Sequence, residues 1–219
     1  MSVIATVFVP EGIAMAADSR ITATRTYTDK PVEEKFTISD NGQKIFALTK
    51  RTAGISACGD AEIGGRTIAD FIRQFEIDQI QGGESIEEVA KALQAYLYCK
   101  GKERNIVCHV AGYDGDVQSL YVVTKDSCVS IISENLKYGA KWDGDINHLT
   151  DLINGASRMT FDWNFMYLKD AVELAEFMVD VNCKAQRFSA GIATCGGPID
   201  ILLLTKDGGQ WVRHKILKP

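Results

Sequence analysis

Gly12-Ile13-Ala14-Met15-Ala16-Ala17-Asp18-Ser19-Arg20 is the stretch on which the fold turns. Five apolar residues in a row follow a Pro10-Glu11-Gly12 turn, and the apolar run Val3–Val9 precedes that turn. Two β-forming runs joined by a short glycine-containing turn read as a hairpin. The second run stops abruptly at Asp18-Ser19-Arg20, which taken alone is a strand ending in a solvated turn. What surrounds it changes that reading.

Working outward, threonines at 22, 24, 26 and 28 suit a strand over 21–27. The chain then turns polar between Asp29 and Asn41, as a surface excursion does. Lys44-Ile45-Phe46-Ala47-Leu48 and residues 52–58 read as a further strand pair. Helical spacing takes over with Ile68, Phe71, Ile72 and Phe75 on one face, and Gly82-Gly83 stops that helix. Ser85 and Glu88 form a capping box ahead of the face Ile86, Val89, Ala90, Leu93, Leu97. Three strands (106–111, 119–123, 128–132), two helices (145–153, 168–184) and two strands (199–204, 211–216) complete the chain. Asp143-Gly144-Asp145 reads as a turn and helix cap, because the glycine and glutamate of a calcium loop are absent. This order fits one layered α+β domain over residues 1–219 better than a parallel βαβ sheet.

Bulk properties exclude several classes of function. The net charge is −5, from 24 basic against 29 acidic residues, with no long basic run. That disfavours nucleic acid and anionic membrane surfaces as partners. No apolar stretch approaches the length of a membrane helix, and no secretory signal opens the chain, so a cytoplasmic protein is expected. The six cysteines form no C-x-x-C pair and read as buried reduced thiols. His109, His148 and His214 show no partner pattern and read as structural or exposed. No metal site or cofactor is expected.

The Gly–apolar–Ala-Asp-Ser-Arg stretch resembles the signature of proteasome β subunits and their bacterial relatives. The resemblance covers nearly the whole chain, most strongly residues 2–75 and the region from Gln186 to Gly208. It implies a four-layer αββα sandwich, the N-terminal-nucleophile hydrolase fold. In that family the signature aspartate lies sixteen residues after the catalytic N-terminal residue, and counting back from Asp18 reaches Ser2. Removal of Met1, which a methionine aminopeptidase tolerates before a small residue, exposes the Ser2 amine.

The residue types answer a chemical need. A serine hydroxyl requires a nearby base to become a nucleophile, and its own α-amine, with a pKa of about 7.7–8.0, can serve. The resemblance assigns Asp18 to hold a lysine ammonium beside the hydroxyl, and Lys44 as that lysine. Lys35 is nearer the family's usual distance. Lys44 is preferred because it opens a strand and stands at the family's spacing from an oxyanion turn at Ser56-Ala57-Cys58-Gly59-Asp60. An insertion of about ten residues in the 21–43 hairpin accounts for the difference. Cys58 stands where relatives have glycine, so the oxyanion donor is the backbone N–H of Cys58 or Gly59. The family's second aspartate, normally just ahead of the pair matched by Gly196-Gly197, has no counterpart there. Its supporting serine has only Ser130 and Ser133 as loose candidates.

The same mapping implies a peptide or unfolded-protein substrate held by β-addition between Thr22 and Cys58. Its side chain would enter a roomy pocket lined by Ile21, Ser56 and Asp60. Relatives form rings or ring-like stacks, which implies a homo-oligomeric assembly and an ATP-dependent unfoldase as its partner. Serine in place of threonine lacks the methyl that fixes the rotamer, so slow peptide cleavage is expected. Two alternatives share the fold: a catalytically inactive structural subunit, and an amidase acting on a small-molecule amide.

Overall fold

The computed structural model describes residues 2–27, 33–156 and 158–215. The chain is mixed α+β. Strands β1 (Val3–Val9) and β2 (Gly12–Ala17) form the expected hairpin, and every residue in both is buried. β3 (Ile21–Thr26) and β4 (Glu33–Ser39) form a separate two-stranded ribbon. The expected polar excursion is therefore at the surface but is partly a strand. Residues 29–32 of it lie outside the described residues. β5 (Ile45–Ala47) and β6 (Ala53–Gly59) follow, then the short β7 (Glu62–Ile63) and β8 (Arg66–Thr67).

Helix α1 (Ile68–Gln79) starts where the Thr67 hydroxyl accepts the Asp70 amide. α2 (Ile86–Lys100) carries the capping box: Ser85 accepts from the Glu88 amide, and the Glu88 carboxylate accepts from the Ser85 amide. β9 (Ile106–Asp114), β10 (Val117–Val123), β11 (Cys128–Ser130) and β12 (Gly139–Gly144) come next. Then follow α3 (Asn147–Asn154), α4 (Leu168–Phe188), β13 (Asp200–Thr205) and β14 (Gly208–Arg213). α4 runs beyond its expected end at 184, to Phe188. β12 has no counterpart in the sequence reading.

Two five-stranded antiparallel sheets result, in the orders β12-β1-β2-β13-β14 and β11-β10-β9-β6-β5. Alternation along each strand sends neighbouring side chains to opposite faces, so each sheet is apolar on both. Ile4, Phe8 and Met15 of the first sheet share one buried cluster with Ile45, Ala111 and Leu120 of the second. The outward residues Val3, Ala5 and Val7 pack with Ala171, Ala175 and Met178 of α4. Ile55, Ala57 and Val110 of the second sheet pack with Phe71, Phe75 and Leu93 of α1 and α2. Full burial of each large apolar side chain is worth about 1.5–3 kcal/mol, so these clusters dominate what holds the elements together. Among the described residues no helix is long and apolar enough to cross a membrane.

Candidate active site

The site grows from the end of β2. Asp18 is fully buried, and both its oxygens are used. Oδ1 accepts the Val3 amide at 2.9 Å and Lys44 Nζ at 2.7 Å. Oδ2 accepts the amides of Arg20 at 3.1 Å and Gly196 at 2.9 Å. Lys44, 2% exposed, donates a second bond to the Arg20 carbonyl at 2.6 Å. A buried cation is tolerated only when so paired. The structure thus brings Asp18, Lys44 and the start of β1 together. Lys35, the rejected alternative, lies on exposed β4 opposite Thr24.

Ser2 is one peptide unit from this centre. Its carbonyl accepts the Asp145 amide at 2.8 Å, and Asp18 N donates to Val3 O at 3.3 Å. Gly144 makes the turn behind it, with φ of +115° and an approach so close that a Cβ would lie 1.9 Å from Ser2 O. Asp145 escaped the sequence reading, which made it a helix cap. Its carboxylate instead accepts Thr194 Oγ1 at 2.5 Å, and the N-cap position of α3 makes no side-chain bond. The buried Asn182 amide holds the Asp145 carbonyl at 2.7 Å, and Gln186 Oε1 accepts the Thr194 amide at 2.9 Å. Asp145 therefore sits beside Ser2 in a polar network drawn from α4 and the loop before Gly196. A glycine flanked by two aspartates, Asp143-Gly144-Asp145, was the available signal.

Register separates the two candidate oxyanion donors. Asp60 N donates to Asn105 O and Tyr113 N to Thr52 O, so even-numbered residues of β6 bond to β9. Ala57 N donates to Lys44 O, so odd-numbered residues face the β5 side. By this antiparallel alternation the Cys58 amide is committed to β9, while that of Gly59 turns to the opposite, β5 side, beyond Lys44 and past the end of β5, where no β5 residue receives it. Gly59 also carries the positive φ, +106°, and a Cβ there would lie 2.1 Å from Asn105 O. Among the described residues no non-glycine has positive φ, so Cys58 bears no backbone strain. Its thiol is buried between the sheets, and burial pushes its pKa up to about 12.

The residues expected to line a substrate pocket are dispersed in role. Thr22 and Ile21 open β3 and are half-buried; the Ile21 side chain lies over Gly42. Ser56 is fully enclosed between strands, and its Oγ lacks a hydrogen-bond partner. It does not line an open pocket, because its position on β6 points it into the space between the sheets. Asp60 is occupied: its carboxylate accepts the Asn105 amide at 2.9 Å. Arg20 forms a two-pronged pair with Asp40, at 2.7 and 3.0 Å, which holds the Asp40 carboxyl below its usual pKa. Ser130 bonds the Ile132 carbonyl on an exposed strand, and Ser133 makes a local bridge to Leu136.

His109 proves to be fully buried and partnered. Nδ1 is 2.9 Å from Thr6 Oγ1, and Nε2 is 2.9 Å from Asp143 Oδ2, which also takes Lys141 Nζ at 2.6 Å. Burial lowers the imidazole pKa, so the neutral ring donates from Nε2 to Asp143 and accepts the Thr6 hydroxyl at Nδ1.

No family model matches the chain, and no curated protein matches it.

Proposed function

We propose that this chain is a proteasome-like N-terminal-nucleophile hydrolase, one αββα domain spanning residues 1–219, in which Ser2 cleaves peptide bonds once Met1 is removed. Two sheets sharing one apolar cluster, each with a helix pair on its other face, support the four-layer reading. The observation that carries the chemistry is the convergence of Lys44 Nζ and the Val3 amide on Asp18 Oδ1. It puts a buried ammonium beside the residue that follows the nucleophile.

The reaction then proceeds by acyl transfer. Ser2 Oγ bonds to the peptide carbonyl carbon while its proton passes to the Ser2 amine. The Gly59 N–H stabilises the oxyanion. The amine returns the proton to the departing nitrogen as the C–N bond breaks, leaving an ester on Ser2. Water, giving a proton to the same amine, hydrolyses that ester and frees the hydroxyl. Lys44 spends two N–H groups on Asp18 and Arg20 and keeps its third for the developing alkoxide. The Asp145 amide fixes the Ser2 carbonyl, and its carboxylate is held in turn by the Thr194 hydroxyl. Exposed Phe165, Tyr167 and Phe188 are the kind of surface a self-associating subunit covers, in keeping with a homo-oligomer that encloses its sites and is fed by an unfoldase.

The test compares Ser2→Ala and Lys44→Ala with protein whose free Ser2 amine is verified by intact mass, on fluorogenic peptides and casein. Turnover should fall at least about 100-fold in both variants. Full activity in Ser2→Ala sinks the reading. Small-amide turnover without peptide cleavage moves it to the amidase alternative. The enclosed Ser56 favours one further reading, a non-catalytic subunit, which inactivity of correctly processed protein would establish.

A further inference from the structure

β1 lies inside its sheet, between β12 and β2, with all seven residues buried. The bonds that lock its start reach back to Ser2. Asp145 N holds the Ser2 carbonyl, Asp18 Oδ1 holds the Val3 amide, and Asp18 N holds the Val3 carbonyl. Ser2 itself is 5% exposed, with the Gly144 turn against its carbonyl. An aminopeptidase takes its substrate as an extended chain end, with the residues after the scissile bond in its own cleft. Offering Met1 from the folded chain means pulling Ser2 and Val3 off these partners together, leaving a buried carboxylate and amides unpaired.

From this enclosure we infer that Met1 is excised only before β1 docks between β2 and β12, and that a chain that folds first keeps its Ser2 amine locked in the Met1–Ser2 bond. Excision is a hydrolysis: water is consumed, the amide bond breaks, and methionine and the Ser2 α-amine are released. The topology sets the length of the window. β1 pairs at once with β2, but its second neighbour ends at Gly144, and the Asp145 clasp comes after that. At ordinary synthesis rates of about 5–20 residues per second, the end stays open for roughly 7–30 s. Processing and folding therefore compete, and their ratio sets the fraction of chains bearing a free amine. The functional consequence rests on the catalytic role proposed for that amine; the order of events does not.

The experiment is synthesis of the full chain in a reconstituted translation system lacking methionine aminopeptidase. Deformylase and aminopeptidase are supplied either during synthesis or after synthesis has stopped and the chain has folded. A peptide of residues 1–12 serves as control, and intact mass is the readout. We expect Met1 to be lost from the peptide and from chains processed during synthesis. It should be lost from the folded chain at least about 100-fold more slowly than from the peptide. Loss from the folded chain within about tenfold of the peptide rate overturns the inference. So does loss with no enzyme added, retention in both arms, or an uncleaved peptide. Processed protein that lacks peptidase activity sinks the catalytic reading and leaves this one standing.

Discussion

Removing Lys44 and removing Asp18 should destabilise the protein unequally, although they are partners in one ion pair. In Lys44→Met a side chain of similar length keeps the packing and leaves Asp18 buried without its cation. Asp18 still accepts three backbone amides, from Val3, Arg20 and Gly196. Breaking a buried pair typically costs about 3–5 kcal/mol, and these donors put the cost near the low end, about 3 kcal/mol. Asp18→Ala does more. It leaves three amides without their acceptor, at about 1–3 kcal/mol each, and strands an ammonium whose remaining acceptor is the Arg20 carbonyl. Its cost should exceed that of Lys44→Met by about 2 kcal/mol or more. For a domain of this size Lys44→Met should lower Tm by about 6–12 °C. Urea unfolding followed by tryptophan fluorescence gives both values, with the m-values checked for equality. Should Asp18→Ala prove the milder change, or Lys44→Met cost under about 1 kcal/mol, the view of Asp18 as a hub of four bonds is wrong.

Other perturbations probe separate parts of the structure. Burial holds His109 below its ordinary pKa, so the unfolded chain binds its proton first. That stability is present above about pH 6.5 and lost as pH falls toward the folded value. Burial acts upward on Asp143, but its bonds to His109 and Lys141 outweigh that and lower it, which extends the loss below about pH 3.9. His109→Gln should flatten the urea midpoint between about pH 7 and 5; an unchanged slope counts against the buried imidazole as the source. Gly59→Ala, forced into φ of +106° against Asn105 O, should cost about 1–3 kcal/mol or more and lower kcat by about 10²–10³-fold. Thermal melts and single-turnover rates would separate the two effects, and normal kcat would remove Gly59 from the oxyanion site. Iodoacetamide at mildly alkaline pH should label exposed Cys99 and spare Cys58, whose pKa is about 12, until the chain is unfolded. Peptide mass spectrometry reads this, and early Cys58 labelling would contradict its enclosure.

What was legible in the sequence was what acts over short distances. The β1–β2 hairpin, the Ser85–Glu88 capping box and the apolar face of α1 are each specified within a few residues. β12 was not legible. Its sequence Gly-Ala-Lys-Trp-Asp-Gly has poor strand propensity, and it exists because β1, far away in the chain, offers it an edge. Losing β12 also hid Asp145, whose role depends on that pairing and on Thr194 from a third region. β4 was obscured for a related reason: its residues face solvent, and the short alternation of Phe36 and Ile38 is masked by the charged Glu33, Glu34 and Lys35 before it. The choice between the Cys58 and Gly59 amides needed the register of β6 with β9, which composition does not encode.

The placement of the candidate nucleophile has a consequence for how folding and chemistry are linked. Asp18 takes its bonds from residues 3, 20, 44 and 196, four segments spread along the chain. The bonds from Lys44 and Gly196 join segments far apart in the chain, so the centre is complete only when the lysine ahead of β5 and the Gly196 loop have both joined the β1–β2 hairpin. Until then Lys44 is a solvated cation and Asp18 a solvated anion, and neither tunes a hydroxyl. The same carboxylate that closes the fold around the start of β1 is therefore the one that assembles the site. Under the proposed roles, a chain that is only partly folded exposes its N-terminal bond to processing without a centre that could use the amine, whereas the folded chain has that centre and has closed the bond off.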